Sequence, residues 1–332
     1  MFFTDQQRHD PTSAHGPTLG LTPNFDRLTT QGTQVVNSFT CQPVCGPARS
    51  CLQTGMHAST TGGWHTGYID EWPLAPGHVG PVPRELPDGY QSWLAANALE
   101  FTSDAYKTHV WDGGGREHTL PGYRVDPLTD AAIRHLDARS RSDQPFFLFT
   151  SSIEPHHENH RDDDPASEGY EECYVGTRLP PDLQARAGSD PQPWPGYCGM
   201  IKRLDEALGR LIDALRSVGQ LDNPIILFTS DHRCHFKTRN DESKPSWHNA
   251  SIRVPTALRA PGFDGGGALR QLESLVAPPP LSLPESAGIP VPPEMEGRSL
   301  LLLAQKQTRE WRDDMLVQMS EAQTGPAIRT HR

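Results

Sequence analysis

The stretch PFFLFTSSI at residues 145–153 is a short apolar run that leads directly into a polar cluster. NPIILFTS at residues 223–230 has the same design. Runs of this length and composition are typical of strands that are buried on both faces of a sheet. Between them, apolar residues recur at helical spacing from Tyr197 to Leu215, which predicts a long amphipathic helix. A strand, a helix and a strand in this order form a crossover unit, so the sequence predicts an α/β fold with a mostly parallel central sheet flanked by helices.

Further elements extend this scheme along the chain. TPNFDRLTTQG at residues 22–32 places a hydroxyl before a proline and ends in glycine, which predicts a short helix. TQVVNSFT at residues 33–40 and MLVQMS at residues 315–320 are typical of strands. Residues 60–125 are rich in Gly, Pro and His and allow no assignment. We expect residues 1–332 to form a single α/β domain.

The composition limits the classes of function. The 332 residues carry a net charge of −11 and 35% hydrophobic residues, which argues against a sequence-independent grip on nucleic acid or on an anionic membrane. No apolar run reaches membrane-spanning length, and the opening MFFTDQQRHD does not resemble a secretory signal. We therefore expect a cytoplasmic protein whose six cysteines stay reduced.

Polar clusters follow three of the predicted strands. They lie at residues 4–6, 153–157 and 230–232, and they combine carboxylates, an amide and imidazoles. Ligands of such sheets bind beyond the carboxyl ends of the strands, so these clusters predict a hard-metal or acid–base site. The alternative for any one of these residues is an ordinary polar strand end.

The stretch SFTCQPVCGPARSCLQTGMH at residues 38–57 carries the most specific pattern in the chain. Pro47 suits the first turn of a helix, so Cys45 lies at a helix N-terminus, where the helix dipole favours an anion. Arg49 falls on the same face four residues later and can bond an anionic oxygen. Cys45-Gly46-Pro47-Ala48-Arg49, with Thr54-Gly55 downstream, resembles the C-x-P-x-R signature of the formylglycine-dependent sulfatases in the alkaline phosphatase superfamily.

The resemblance implies a metal site and a modified nucleophile. FTDQQR resembles the first metal segment of the family and implies Asp5 and Gln6 as ligands. FTSDHRCHF resembles the second and implies Asp231 and His232. In the family a maturation enzyme, the formylglycine-generating enzyme, oxidises the motif cysteine to 3-oxoalanine, and here the resulting oxygen of Cys45 would complete the metal shell. The implied cation is divalent, with calcium expected and magnesium and manganese left open.

The same resemblance implies two further catalytic residues. EPHH assigns His156 to the ester, and ESKPSWHNASIRVP assigns Lys244 to the sulfate. His248 lies close by in sequence, but we expect it to have no direct role. The implied reaction hydrolyses a small sulfate ester: a hydroxyl of the hydrated aldehyde attacks sulfur, and Arg49 and Lys244 stabilise the sulfuryl oxygens.

The chain also departs from the family pattern. Asp70-Glu71-Trp72-Pro73 stands where members usually have Gly-Lys-Trp-His, so Glu71 reverses a charge and Pro73 cannot move a proton. Arg233 replaces the glycine usual after the Asp-His pair, and we expect its side chain to crowd the loop or to demand an uncomfortable backbone angle. The resemblance further implies an internal deletion, a shortened first strand and a C-terminal subdomain that is largely missing.

These departures leave three functions open. The first is a sulfuric ester hydrolase, and the second is a phosphonate or phosphodiester hydrolase on the same scaffold, a group that also lacks the lysine–histidine pair. The third is a non-catalytic remnant that keeps the fold. The spacing supports no replacement base among His57, His65 and His78.

Overall fold

The computed structural model describes most of the chain. The described residues are 1–16, 19–54, 64–75, 77–83, 85–86, 89–157, 163–184, 193–274, 278–291, 293, 295, 298–308, 310–319 and 325–330. Of the residues singled out above, Gly55, His57 and Ser320 lie outside this part of the chain.

One large sheet organises the molecule. Its strands are β1 (Phe2–Thr4), β2 (Thr33–Phe39), β3 (His65–Glu71), β4 (Ser92–Ala96), β5 (Lys107–Asp112), β6 (Glu117–Pro121), β7 (Phe146–Ser151), β8 (Ile226–Ser230), β9 (Ala257–Arg259) and β10 (Ala268–Ser274). Their order in space is β10-β2-β9-β8-β1-β7-β3-β4-β5-β6. The central strands β8, β1, β7, β3 and β4 are parallel, whereas β9 is antiparallel to both of its neighbours and β5 is antiparallel to both of its own.

Helices cover both faces of this sheet. They are α1 (Pro23–Gln31), α2 (Cys45–Thr54), α3 (Leu99–Thr102), α4 (Val125–Ser140), α5 (Pro181–Gln184), α6 (Pro193–Ser217), α7 (Asn249–Ile252), α8 (Pro278–Ser286) and α9 (Leu301–Ala304). Apolar residues of α1, α4 and α6 pack together against one face, and Leu52 of α2 packs with Phe3 and Phe149 on the other. The prediction of an α/β fold with a mostly parallel, helix-flanked sheet is confirmed.

The predicted crossover from β7 to β8 passes over another strand, which the order of elements in the sequence does not show. The strands β7 and β8 and the long helix α6 form as predicted, but β1 lies between the two strands and pairs with both of them in parallel. The Phe2 and Phe228 rings stack with centroids 5.6 Å apart, which fixes β1 against β8. The first residues of the chain therefore occupy the centre of the sheet.

The last described strands form a separate hairpin. The strands β11 (Asp314–Met319) and β12 (Gly325–Thr330) pair in antiparallel register, and β11 corresponds to the predicted late strand. Met315 and Val317 bury their side chains against Phe39, at the end of β2. In the described part of the chain, no helix is both long enough and apolar enough to cross a bilayer.

Candidate active site

The site lies at the carboxyl edge of the three central strands. The amide of Asp5 donates to the carbonyl of Glu154 at 3.2 Å, and the amide of Asp231 donates to the carbonyl of Thr4, also at 3.2 Å. These bonds continue the strand pairing beyond the ends of β1, β7 and β8. As a result, residues that are far apart in sequence lie side by side, as the polar strand ends predict.

Helix α2 brings Cys45 to this edge. Its Sγ atom lies 3.1 Å from Nε2 of His232, 3.5 Å from Oδ1 of Asp5 and 3.1 Å from Nζ of Lys244. Burial and the neighbouring Asp5 carboxylate raise the pKa of the Cys45 thiol well above its ordinary value. The N-terminus of α2 lies close to the loop after β3, and a Cβ atom at Gly46 would lie only 3.2 Å from the Pro73 carbonyl oxygen.

Four of the predicted metal ligands converge. One ligand atom from each of Asp5, Cys45, Asp231 and His232 lies within 4.8 Å of the others, and all four residues are buried. The Nδ1 atom of His232 lies 3.2 Å from the Arg233 carbonyl, an acceptor, so the proton is assigned to Nδ1 and the lone pair of Nε2 is left as a ligand atom of this cluster.

The fifth predicted ligand, Gln6, has a buried side-chain oxygen that could bind a metal ion. Its amide oxygen Oε1 is buried, and no hydrogen-bond partner for it occurs among the described residues. Its backbone takes a φ of 61°, and its amide N–H donates to Oδ1 of Asp231 at 3.1 Å. An uncompensated buried amide oxygen is costly. A cation beside Asp5 and Asp231 would remove that cost, so this donor set fits a hard divalent ion.

The pKa shifts of Asp5 and Asp231 also agree with a bound cation. Burial raises the pKa of Asp231, and the charge of Asp5 raises it further. Burial opposes ionisation of Asp5 as well, but Arg49 and His232 outweigh it and lower the pKa of that carboxyl group. The two carboxylates therefore compete for the same positive charge, and this is an environment in which a bound cation is stabilising.

The guanidinium of Arg49 lies beneath these carboxylates and has no exposed surface. It contacts Oδ2 of Asp5 at 2.8 Å, Oδ2 of Asp231 at 3.3 Å and the Ser151 hydroxyl at 2.5 Å. These contacts hold the carboxylates in place. The role predicted for Arg49 at a substrate oxygen stays a prediction.

Lys244 connects His156 with Cys45. The Nζ atom of Lys244 lies 3.2 Å from Nε2 of His156, and the same ammonium contacts Sγ of Cys45. Burial lowers the pKa of His156 well below its ordinary value, and the charge of Lys244 adds to this effect. Burial disfavours the Lys244 ammonium too, but Cys45 and Asp5 outweigh it and raise the pKa of Lys244. The pair thus combines a neutral imidazole with a cationic amine.

Comparison with known proteins decides the family. The family described as Sulfatase matches residues 1–264 of the chain. The chain belongs to the sulfatase family. It is 27% identical to the ulvan-active sulfatase of Formosa agariphila over 90% of its own length, and it spans 63% of that relative. It is 22% identical to the N-acetylglucosamine-6-O-sulfatase of Bacteroides thetaiotaomicron, covering 90% of the chain and 69% of that relative.

Solved sulfatase structures share the fold. A Bacteroides fragilis protein described as a sulfatase of the yidJ type superposes with a TM-score of 0.84 at 21% identity, covering 99% of this chain and 83% of that one. The phosphonate monoester hydrolase of Agrobacterium radiobacter superposes with a TM-score of 0.69 at 18% identity, covering 97% and 81%. The alkaline phosphatase superfamily fold implied by the sequence motifs is therefore confirmed.

Glu71 takes up a position that the sulfatase resemblance did not suggest. Its Oε2 atom lies 2.8 Å from NH2 of Arg49, the nitrogen that also contacts Asp5, and its side chain is 2% exposed. Burial raises the pKa of Glu71 well above its ordinary value, although Arg49 pulls in the opposite direction. Glu71 is thus accommodated as the third carboxyl group beside the Arg49 guanidinium, together with Asp5 and Asp231.

Arg233 does not strain the loop after β8, and the expectation of an uncomfortable backbone angle was wrong. Arg233 is not among the residues with a positive φ. Its side chain turns away from the site and donates to Oδ1 of Asp10 and to the Asn249 carbonyl, both at 2.8 Å. Arg8 donates to the same Asp10 carboxylate at 2.9 Å. Arg233 is accommodated because it shares the Asp10 carboxylate with Arg8.

Sequence reasoning missed the support that Tyr197 gives to the loop after β1, which carries Gln6. Its hydroxyl donates to the Gln6 carbonyl at 2.7 Å and accepts from the Arg8 amide at 2.7 Å. The helical periodicity assigned Tyr197 only to the apolar face of α6. The one available signal was that a tyrosine, with its polar tip, occurs among aliphatic residues on that face.

His65, His78 and His248 are not among the residues that cluster with Cys45. His65 begins β3 at the opposite edge of the sheet, where its Nε2 atom lies 2.7 Å from the Ser92 hydroxyl. The carbonyl of His78 accepts from the Asn97 amide. His248 is exposed and immediately precedes α7.

Proposed function

We propose that this sulfatase-family chain hydrolyses a sulfate ester and that Cys45, after conversion to formylglycine, provides the nucleophile. One observation carries the proposal: Sγ of Cys45 lies within 3.5 Å of Asp5, His232 and Lys244 at once. These three contacts combine two predicted metal ligands with a cationic amine around the residue that the motif selects. A cysteine that served only to pack would not need this charged environment.

The position of Cys45 suits a nucleophile that reacts with an anion. In the unconverted chain its Sγ atom stands in for the oxygens of the hydrated aldehyde. The atom lies at the N-terminus of α2, where the helix dipole stabilises negative charge. Conversion would replace a thiol that burial keeps protonated with a group that offers oxygen to a hard cation.

A divalent cation is part of the proposal. Asp5, Gln6, Asp231 and His232 would hold it, together with the oxygen formed at Cys45. When bound, such a cation supplies the positive charge that favours ionisation of a nucleophilic hydroxyl and offsets charge on sulfuryl oxygens. Three oxygen donors and one imidazole support calcium, and they also suit magnesium and manganese.

Lys244 and His156 are proposed to act on the ester. The Lys244 ammonium contacts both the nucleophile position and His156, so it can bind a sulfuryl oxygen between them. The His156 imidazole is neutral and lies within hydrogen-bond distance of the Lys244 ammonium, so the pair is placed to help bind the ester. Arg49 keeps Asp5 and Asp231 in place beneath the reacting atoms.

The relatives support a sulfated sugar as the substrate. One is described as ulvan-active and another as an N-acetylglucosamine-6-O-sulfatase. A solved relative with 20% identity and a TM-score of 0.75, covering 99% of this chain and 86% of that one, holds D-glucosamine-2-N,6-O-disulfate, described as its substrate. We propose a small sulfate ester of this class, with the formylglycine-generating enzyme as the maturation partner.

A phosphonate or phosphodiester is the second candidate substrate. It is favoured by one observation, namely that Glu71 and Pro73 replace the lysine and the histidine that sulfatases usually place beside sulfate. A fold neighbour is a phosphonate monoester hydrolase. The same replacement also supports the third possibility, a non-catalytic member of the family.

Paired rates decide among these functions. The chain, co-expressed with the maturation enzyme and supplied with calcium, would be assayed on an aryl sulfate and on the matching aryl phosphodiester. Cys45→Ala is the negative control, and Cys51→Ala on the same helix is the matched control. We expect a higher kcat/KM on the sulfate, abolished by the first substitution and kept by the second. A preference for the phosphodiester would favour the second candidate, and equal residual rates in Cys45→Ala would contradict both.

A further inference from the structure

A second group of charged and titratable side chains lies beside the loop after β1, and it shares no residue with the candidate metal cluster. His9, Asp10 and His15 belong to this loop, Arg233 follows β8, and Arg253 follows α7. The His9 and His15 rings meet edge to face with centroids 5.4 Å apart, and Arg233 donates to Oδ1 of Asp10 at 2.8 Å. Both arginines act electrostatically on both imidazoles, so these five residues form one histidine–arginine group.

Three nitrogen atoms of this group are buried and make no hydrogen bond to any described residue. They are Nδ1 of His9, Nε of Arg233 and Nε of Arg253. His9 is 8% exposed and Arg233 is 2% exposed. The guanidinium nitrogens are always donors, and a neutral imidazole can donate from Nδ1. Because unpaired buried donors are costly, the group fits a ligand that supplies acceptors.

Positive charge exceeds negative charge in the same place. The Asp10 carboxylate is already shared, since it accepts from Arg8 at 2.9 Å and from Arg233 at 2.8 Å. Arg253 donates to a backbone carbonyl at 2.9 Å. Burial and the charge of Arg329 lower the pKa of Arg253, so a further cation stands beside it. A negatively charged ligand would therefore be stabilised here.

Two neighbouring imidazoles can also suggest a transition metal, but the charges of this group oppose one. Burial and the charge of Arg233 lower the pKa of His9 well below its ordinary value. Burial and the charge of Arg253 lower the pKa of His15 to about 4. Fixed positive charges that resist protonation of an imidazole also repel a metal cation. An anion is attracted by the same charges and can accept from the unpaired donors.

We propose that the histidine–arginine group binds one small tetrahedral oxyanion, sulfate or phosphate, which accepts from Nδ1 of His9 and from the Nε atoms of Arg233 and Arg253. Such an ion offers several acceptor oxygens, so it can serve donors from three segments of the chain at once. His15 and Arg253 are partly exposed, which leaves the site open to solvent on their side. The proposal does not depend on the hydrolase reaction.

The test titrates sodium sulfate into the whole chain at pH 7 and follows the imidazole signals by NMR, with sodium chloride at equal ionic strength as the reference. His65 and His135 are the internal control, because their rings lie 5.6 Å apart and the pKa of His135 is likewise lowered to about 4. We expect saturable shifts of the His9 and His15 signals with sulfate and with phosphate, and constant signals from the control pair. Lys244→Ala should show the same shifts, which separates this site from sulfate bound at the candidate active site.

Two arginine variants locate the binding. Arg253→Gln removes one charge and one unpaired donor, whereas Arg139→Gln removes the arginine whose charge acts on His65 and His135. We expect Arg253→Gln to weaken sulfate binding about tenfold, the loss of one charged hydrogen bond, and Arg139→Gln to leave it unchanged. Constant His9 and His15 signals up to about 50 mM sulfate would overturn the proposal and assign the unpaired donors to water. An equal response to chloride would overturn it too, and neither comparison needs a variant. Undiminished binding by Arg253→Gln would count against it as well.

Discussion

Replacing Glu71 with glutamine tests how the site tolerates a carboxylate where sulfatases usually have a lysine. The side chain is almost completely buried and contacts NH2 of Arg49 at 2.8 Å. Asp5 contacts the same nitrogen at 2.8 Å, so the two carboxylates lie close together. Glutamine keeps the shape and can still interact with Arg49, but it removes one of three negative charges.

The expected change in stability is small because two large terms oppose each other. An ion pair at about 4 Å contributes ~4 kcal/mol at an effective dielectric constant of about 20, and this attraction to Arg49 is lost. Repulsion between two carboxylates at about 5 Å costs ~3 kcal/mol on the same scale, and this repulsion from Asp5 is relieved. Desolvation of the Glu71 carboxylate is relieved as well. The raised pKa of Glu71 agrees, since it means that ionisation of this side chain is less favourable in the folded protein than in the unfolded chain.

We therefore expect Glu71→Gln to change the free energy of unfolding by less than ~2 kcal/mol. Arg49→Met, which strands three buried carboxylates, should cost at least ~3–5 kcal/mol. Urea unfolding of the metal-free protein measures both, with Glu117→Gln on the exposed strand β6 as the surface control. Glu71→Gln should also tighten binding of inorganic sulfate about tenfold, which is ~1.4 kcal/mol. A loss of more than ~4 kcal/mol, or unchanged sulfate affinity, would refute this reasoning.

Three further predictions concern the metal, the amine and pH. Gln6→Asn tolerates the φ of 61° but shortens the side chain, so calorimetry should show at least tenfold weaker calcium binding with little change in metal-free Tm. Lys244→Ala should lower kcat/KM by roughly 10²-fold, whereas Lys202→Ala on the outer side of α6 should leave it unchanged, and equal effects would refute the assignment. Burial, aided by His65, lowers the pKa of His135 to about 4. Below about pH 6.5 the His135 imidazole is therefore protonated in the unfolded chain but still neutral in the folded chain. The urea midpoint should thus decrease as the pH is lowered from 6.5 towards 4, and it should decrease less steeply in His135→Gln.

Local patterns in the sequence were sufficient to predict β7, α6 and β8 and the meeting of their polar ends, but not the elements between residues 60 and 125. The apolar runs before residues 153 and 230 form β7 and β8, and their polar ends meet because carboxyl ends of parallel strands share one edge. Cys45 joins them because proline at the third position of α2 fixes where that helix starts. These features depend on residues that are neighbours in the chain.

Contacts between distant residues could not be predicted in the same way. Nothing local to Glu71 indicates an ion pair with Arg49, because the pair forms only once β3 lies beside β7. The insertion of β1 between β7 and β8 likewise depends on pairing across more than 140 residues, such as Phe2 with Thr150. Arg233 looked strained because its partner, Asp10, lies 223 positions away in the chain.

The central claim is that Cys45 is the residue converted into the nucleophile. The most direct measurement is the mass of the peptide that contains Cys45, from protein co-expressed with a formylglycine-generating enzyme. We predict a mass that reflects loss of H₂S and gain of oxygen at Cys45, with Cys41 and Cys51 of the same segment remaining thiols. A peptide in which Cys45 remains a thiol, despite a maturation enzyme shown to convert a known sulfatase in the same cells, would contradict the account.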